Sequence, residues 1–325
     1  MAQPKRLQGA HTQHIKKDLE DASQLPRDLV LVILEYYVEL AFGFNGELVK
    51  VLAFCAPPQI VRFFRNYWYI MSFSGVSVYE NETLLNKNLV PARYFAAPVG
   101  IVGFSPWDNG IVMIICRGNV LFLRICTDSS CSDDFSDLLI EGTRLQRDDG
   151  DTTPSAITNN WLFYGCRGDN RTPQVNVYDI ELQQTLYKFE FPWQTYLFCD
   201  ICIYEKRLYV LGSRSNVYMV DIPNAEQESL NTIRNTAFFH SSNQFGYYSS
   251  FVLGGSSLDD YCALISECGS DYCGRSQVAF VKSSVSTKKY FSLPDSKGHT
   301  IRSMAYGFDQ FLLAIPSSKS VFIYK

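Results

Sequence analysis

The feature of this sequence that most restricts its fold is a unit that recurs from Tyr67 onward: a short apolar run, a small polar turn, and a second apolar run. It occurs at Tyr67–Tyr79 with its turn near Ser74-Gly75, at Gly110–Ile125 around Arg117-Gly118-Asn119, and at Trp161–Ile180 around Gly168-Asp169-Asn170. Further copies follow at Arg207–Ile222 (Ser213-Arg214-Ser215-Asn216), Tyr261–Val281 (Gly269-Ser270-Asp271) and Gln310–Tyr324 (Ser317-Ser318-Lys319). Apolar and aromatic runs on both sides of a Gly, Ser, Asn or Asp turn are the pattern of a β-hairpin. The turns fall roughly 45 to 55 residues apart, and a fixed period of that size means one supersecondary unit repeated, each copy burying its faces against its neighbours.

That period is the spacing of four-stranded propeller blades. A further apolar strand precedes most hairpins, as at Val99–Phe104, Phe198–Tyr204, Ser250–Leu253 and Ile301–Tyr306, and supplies the innermost strand of a blade. The expected fold is therefore mainly β: a β-propeller of about six to seven blades over residues 67–325, with a small N-terminal α-helical segment. Aromatic residues make up 14% of the chain, which suits pleated surfaces. A β-sandwich or two small β domains is the alternative, and it has no need of equivalent hairpins at one period. A ring must also be latched. The chain ends in the strand Ser320–Tyr324 with no room for a fourth outer strand, so that strand is expected from residues just after the helical segment.

Residues 1–24 are polar, carry no apolar periodicity, and read as a flexible tail. From Leu25 a helical stripe follows, with Leu29, Ile33, Tyr36, Tyr37 and Leu40 at spacings of three and four. Pro26 and Asp28 suit the start of that helix, and Gly43 and Gly46 stop it. A second helix is expected over 47–54 and a third over 58–66, the latter with Ile60, Phe63, Phe64 and Tyr67 on its apolar side.

Two resemblances follow from these segments. Asn176-Val-Tyr-Asp179-Ile and Tyr218-Met-Val-Asp221-Ile resemble the strand that ends in an aromatic-Asp pair in WD-repeat propellers, whereas Leu208-Tyr-Val-Leu-Gly212 and Leu253-Gly-Gly255 look more like kelch blades. No blade carries either full signature, so the blade family stays open. Leu25-Pro26-x-Asp28-Leu29-x-x-x-Ile33-Leu34 is similar to the opening of the F-box, the helical unit that docks on the Skp-type adaptor of a cullin ubiquitin ligase. The resemblance implies adaptor contacts at Leu25, Pro26, Leu29, Ile33 and Leu34 in the F-box-like segment 25–66, with Phe54, Ile60, Val61 and Trp68 in the rest of the small helical unit, and a propeller that holds the target protein. The alternative is an amphipathic helix that caps one end of the ring.

Chemistry is sparse. Charged residues are 19% of the chain and the formal net charge is −4, which disfavours nucleic acid as the main partner. Cys199-Asp-Ile-Cys202 is the only close C-x-x-C, with Cys262, Cys268 and Cys273 as candidates to complete a zinc set, but its flanks read as continuous strand, so all ten cysteines are expected as thiols with no metal. His11, His14, His240 and His299 are the only imidazoles, and none sits beside a nucleophile-elbow pattern. In the long acidic segment from Thr127 to Pro154, Asp148-Asp-Gly-Asp151 resembles a calcium loop but lacks its alternating ligand order and closing Glu, and Asp133, Asp134, Asp148, Asp149 and Asp151 are expected to form an exposed docking feature. No membrane-spanning or export segment is visible, and the scattered cysteines suit an intracellular, cytoplasmic protein, with the nucleus left open. The expectation is a non-enzymatic protein-interaction module without cofactor. It is either an F-box-like substrate receptor or a propeller subunit of a large ciliary, ribonucleoprotein or trafficking assembly.

Overall fold

Every recurring hairpin forms, and each supplies the two middle strands of a four-stranded sheet. The computed structural model describes residues 47–86, 89–108, 110–118, 120–127, 137–140, 152–167, 172–191, 198–204, 207–212, 217–222, 233–234, 247–257, 260–268, 276–282, 289–291, 300–308 and 310–325. Among these, the strands form six four-stranded sheets. After β1 (Leu48–Ala53), blade 1 comprises β2 (Pro58–Phe64), β3 (Tyr67–Ser72), β4 (Gly75–Glu80) and β5 (Arg93–Ala96). Blade 2 comprises β6 (Ile101–Trp107), β7 (Gly110–Arg117), β8 (Val120–Thr127) and β9 (Leu138–Ile140); blade 3 comprises β10 (Ser155–Thr158), β11 (Trp161–Arg167), β12 (Pro173–Asp179) and β13 (Gln184–Glu190). Blade 4 comprises β14 (Phe198–Tyr204), β15 (Arg207–Gly212), β16 (Val217–Asp221) and β17 (Ile233–Arg234); blade 5 comprises β18 (Tyr247–Ser257), β19 (Asp260–Cys268), β20 (Ser276–Lys282) and β21 (Lys289–Phe291). Blade 6 is β22 (Ser303–Gly307), β23 (Gln310–Ile315) and β24 (Ser320–Tyr324), with β1 as its outer strand.

The innermost strands pack in succession, β2 on β6, β6 on β10, β10 on β14, β14 on β18, β18 on β22, and β22 back on β2. The ring is closed, and the arrangement is a β-propeller. The outer strand of the last blade comes from the N-terminal side, as ring closure required, but from within the segment expected to be helical and not from the residues after it: β1 runs antiparallel to β24 with Leu52 opposite Val321. Glu47 and Lys325 exchange backbone hydrogen bonds at 3.2 and 2.9 Å at the end of that ladder.

Two expected helices are strands. Residues 47–54 form β1, and residues 58–66 form β2 and the turn into β3. The propeller thus begins at Leu48 and not at residue 67. In β2 the first four residues are buried, so apolar side chains on both faces produce helical and strand spacing at once. Arg65 and Asn66 have φ of 46° and 70°, the two left-handed residues of a tight hairpin that joins Phe64 to Tyr67. The residues that the F-box resemblance placed in its second half lie in or beside the ring. Ile60, Val61 and Trp68 are buried strand residues, and the Phe54 amide donates to the Lys319 carbonyl at 2.8 Å. Leu25, Pro26, Leu29, Ile33 and Leu34 lie outside the described residues.

Cores sit between blades. Leu52, Val61, Trp68, Ile70 and Tyr79 pack with Ala305, Leu312, Val321 and Ile323, joining blade 1 to blade 6. Trp68 is fully buried, and its indole N–H donates to Asn81 Oδ1 at 3.0 Å, at the start of the short helix α1 (Asn81–Leu85). The two WD-like aspartates occupy equivalent places, Asp179 opposite Trp161 and Asp221 opposite Arg207. Asp179 accepts the Trp161 indole N–H at 3.2 Å and the amides of Glu181 and Leu182 at 2.9 Å each, so it closes the turn after the third strand. Leu208–Gly212 is a second strand whereas Leu253-Gly-Gly255 lies in an innermost one, so the two kelch-like segments do not mark one repeat.

Candidate functional site

The innermost strands line the channel of the ring. Among the described residues, five of the six bury a small polar or acidic side chain there: Ser105, Ser155, Asp200, Ser250 and Ser303. The sixth strand supplies Arg62. Buried polar groups need partners, and neighbouring innermost strands have no shared backbone ladder, so these side chains make the connections.

Asp200 of blade 4 collects four donors. Its Oδ1 accepts Arg62 Nη2 at 2.8 Å and its neighbour Ile201 N at 2.9 Å, while Oδ2 accepts the Ser250 hydroxyl and, at 3.4 Å, Phe251 N. Arg62 lies in blade 1, three positions round the six-sheet ring from blade 4, so this ion pair spans the channel from one side to the other. The other guanidinium nitrogen donates to Val61 O at 3.1 Å and to Ser303 Oγ at 3.3 Å. Ser303 Oγ in turn accepts Val61 N at 3.2 Å, and Ser250 Oγ accepts Met304 N at 3.0 Å. One continuous polar network therefore ties blades 4, 5, 6 and 1.

Register shifts explain how Asp200 and Ser250 reach the axis. The ladder skips a residue between Phe198 and Asp200 and between Tyr248 and Ser250, and a bulge of this kind re-aims the residue that follows it. Cys199 is the extra residue of the first bulge, and Cys202 lies farther along the same strand. Burial pushes the Cys202 thiol up, with the Asp200 charge adding to the effect and Arg62 opposing it. Burial likewise pushes Cys166 up to about 12, against the Gln174 side chain that donates to its sulfur. Both thiols are protonated at neutral pH and weak as nucleophiles. Among the described residues no three His, Cys, Asp or Glu side chains gather as a metal site.

A second candidate surface lies on the face where second-to-third strand turns and interblade connections emerge together, as alternating strand direction requires. Phe73 in the β3–β4 turn is 54% exposed, Val99 in the β5–β6 connection is 94% exposed, and Val120 starts β8 partly exposed. Backbone bonds hold them in one strip, with Ala97 N donating to Ser74 O at 3.1 Å and Cys116 N to Gly100 O at 2.8 Å. Gly100 has φ of +92° and a Cβ there would lie 2.2 Å from the Cys116 carbonyl oxygen, so only glycine lets the connection lie this close to β7.

Beside this strip the outer strand of blade 2 is pinned by charge. Asp137 accepts Arg124 Nε at 2.7 Å and also pairs with Arg117. Burial acts to raise that carboxyl, but the Arg124 and Arg117 guanidiniums outweigh it and hold Asp137 below the usual carboxylate range. Asp133, Asp134, Asp148, Asp149 and Asp151 of the acidic segment lie outside the described residues. Sequence reasoning missed the channel network because Arg62 and Asp200 are 138 positions apart.

No protein-family model matches the chain, and no curated protein matches it. Among solved structures it is similar to the β-propeller domain of Myceliophteria thermophila Cps50 (Swd1), with a TM-score of 0.54 and 9% identity over 82% of this chain and 83% of that one. A looser likeness, with a TM-score of 0.45 and 9% identity over 86% of this chain and 99% of the other, is to the computationally designed Ika8 protein. The first of these agrees with the ring of sheets. At such identity the likeness concerns fold alone.

Proposed function

We propose that the protein is a non-enzymatic interaction scaffold, built as a subunit into an intracellular assembly, and that it docks protein partners through the strip of Phe73, Val99 and Val120. The observation that carries this reading is Val99, an apolar side chain 94% exposed on a connection pinned to the ring by backbone bonds. Large exposed apolar residues in a rigid neighbourhood mark surfaces that a partner covers. The channel is a poorer candidate, since the Arg62–Asp200 pair already occupies it.

The F-box-like receptor stands second. It now rests on Leu25, Pro26, Leu29, Ile33 and Leu34 alone, because residues 47–66 belong to the ring. A comparison of partners captured by the unmodified chain, by Phe73→Asp/Val99→Asp and by Leu29→Asp/Ile33→Asp separates the two. The scaffold reading expects stoichiometric partners lost only with the first variant. Loss of a Skp-type adaptor only with the second variant would replace it with the receptor.

A further inference from the structure

The two faces of the ring carry different charge. Alternating strand direction puts second-to-third strand turns and interblade connections on one face, and first-to-second and third-to-fourth turns on the other. Among the described residues of blades 6, 1 and 2, the turns of the second face carry Glu80, Glu82 and Asp108 against Arg65 and Arg93. The turns and connections of the first face, where Phe73, Val99 and Val120 lie, carry Arg302, Lys319 and Arg117 and no carboxylate. Asp137 reaches this group from the start of β9 and is shared between Arg117 and Arg124. The chain as a whole has a formal net charge of −4, so this cationic corner runs against its overall balance.

Lys319 is exposed there, with no ion pair among the described residues. Its φ of 51° is left-handed, a conformation that glycine or asparagine adopts at lower cost. Its amide donates to Pro316 O at 3.0 Å and its carbonyl accepts Phe54 N at 2.8 Å, so the backbone that carries the charge is held in place. Pro58 lies opposite Ser72, next to Phe73, and residues 54–58 span at most about 14 Å, so one extended segment of about eight residues reaches from Lys319 to Phe73.

We propose that the strip takes an extended partner segment in which acidic residues flank apolar anchors. On the scaffold reading, on which this depends, apolar partner side chains cover Phe73 and Val99 while carboxylates meet Lys319. Charge complementarity of this kind sets partner choice and approach, and the apolar anchors supply most of the affinity.

A phage-displayed library of random twelve-residue peptides, selected on the full chain, tests this. The enriched peptides are synthesised with a fluorescent label and titrated by anisotropy. They are expected to be acidic, to bind about tenfold more weakly to Val99→Asp and about fivefold more weakly to Lys319→Glu, each with an unchanged thermal transition. Should Lys319→Glu fail to fold, the salt dependence decides the matter: affinity for the unmodified chain is expected to fall between roughly 50 and 500 mM salt. Neutral or basic peptides that lose binding to Val99→Asp overturn the proposal and leave the strip as a docking surface. Acidic peptides indifferent both to Lys319→Glu and to salt overturn it as well. No enrichment, or peptides indifferent to Val99→Asp, overturns the docking strip and the proposal together.

Discussion

The two halves of the channel are joined by different chemistry. Blades 4, 5, 6 and 1 are connected by the ion pair of Arg62 and Asp200 and by the hydroxyls of Ser250 and Ser303. Between blades 2 and 3 the connection is neutral and close: Ser105 donates to Ser155 at 2.8 Å, Ser155 donates to Phe104 O at 3.1 Å, and Thr153 N donates to Val102 O at 2.7 Å. There Gly103 lets two backbones meet, since a Cβ would lie 2.4 Å from the Thr153 carbonyl oxygen. The difference teaches that one architecture can join its blades by either means, and that the charged half is the more exposed to damage. A carboxylate with four donors leaves costly orphans when it is removed, whereas a serine leaves one.

The largest effect is expected from Asp200→Leu, which strands Arg62 and should destabilise the protein by about 3 to 5 kcal/mol in denaturant unfolding. The double variant Arg62→Met/Asp200→Leu should recover most of that loss, because it removes the unpaired charge as well. If Asp200→Leu alone cost less than about 1 kcal/mol, the pair would not be the tie described. On the neutral side, Gly103→Ala should cost about 1 to 3 kcal/mol through overpacking against backbone that cannot yield. Ser105→Ala should cost about 1 kcal/mol, the loss of one hydrogen bond. Were this last substitution as damaging as Asp200→Leu, the distinction between the halves would fail.

The smallest effect concerns Asp137, at the edge of the neutral half. Its carboxyl is held below its ordinary value, so its contribution is complete above the unfolded value of about 4 and is lost as pH falls through the folded value. Asp137→Asn should lower stability at pH 7 by about 1 kcal/mol or less, since Arg117 is half exposed, and should flatten the acid limb of a stability-against-pH curve. An acid limb identical to that of the unmodified protein would show that the two arginines do not act on it.

How much of this was legible in the sequence follows burial. The middle strands β3 and β4, β7 and β8, and β23 and β24 announce themselves as apolar runs broken by Gly, Ser or Asn turns. Strands β1 and β2 did not. Leu48-Val-Lys-Val-Leu-Ala53 alternates inward and outward, yet both sides are apolar except for Lys50, and the period of two is erased. In β2 the spacing of Ile60, Phe63, Phe64 and Tyr67 mimics a helix; the readable signal was Asn66, a residue that tolerates positive φ at a hairpin. The channel had only a faint signature, one polar residue inside the otherwise apolar innermost strands at Ser105, Asp200 and Ser303, while Ser250 is one of four serines in β18. Which of these meet across the ring is set by closure and not by any local pattern.

Ring closure by the N-terminal strand is the claim on which the rest depends, and amide hydrogen exchange of the full chain tests it most directly. If Leu48–Ala53 is the outer strand of the last blade, the amides it commits to β24 should exchange slowly and lose protection together with Ser320–Tyr324 as denaturant is raised. Complete exchange of Leu48–Ala53 within seconds while Ser320–Tyr324 stays protected would contradict the closed ring.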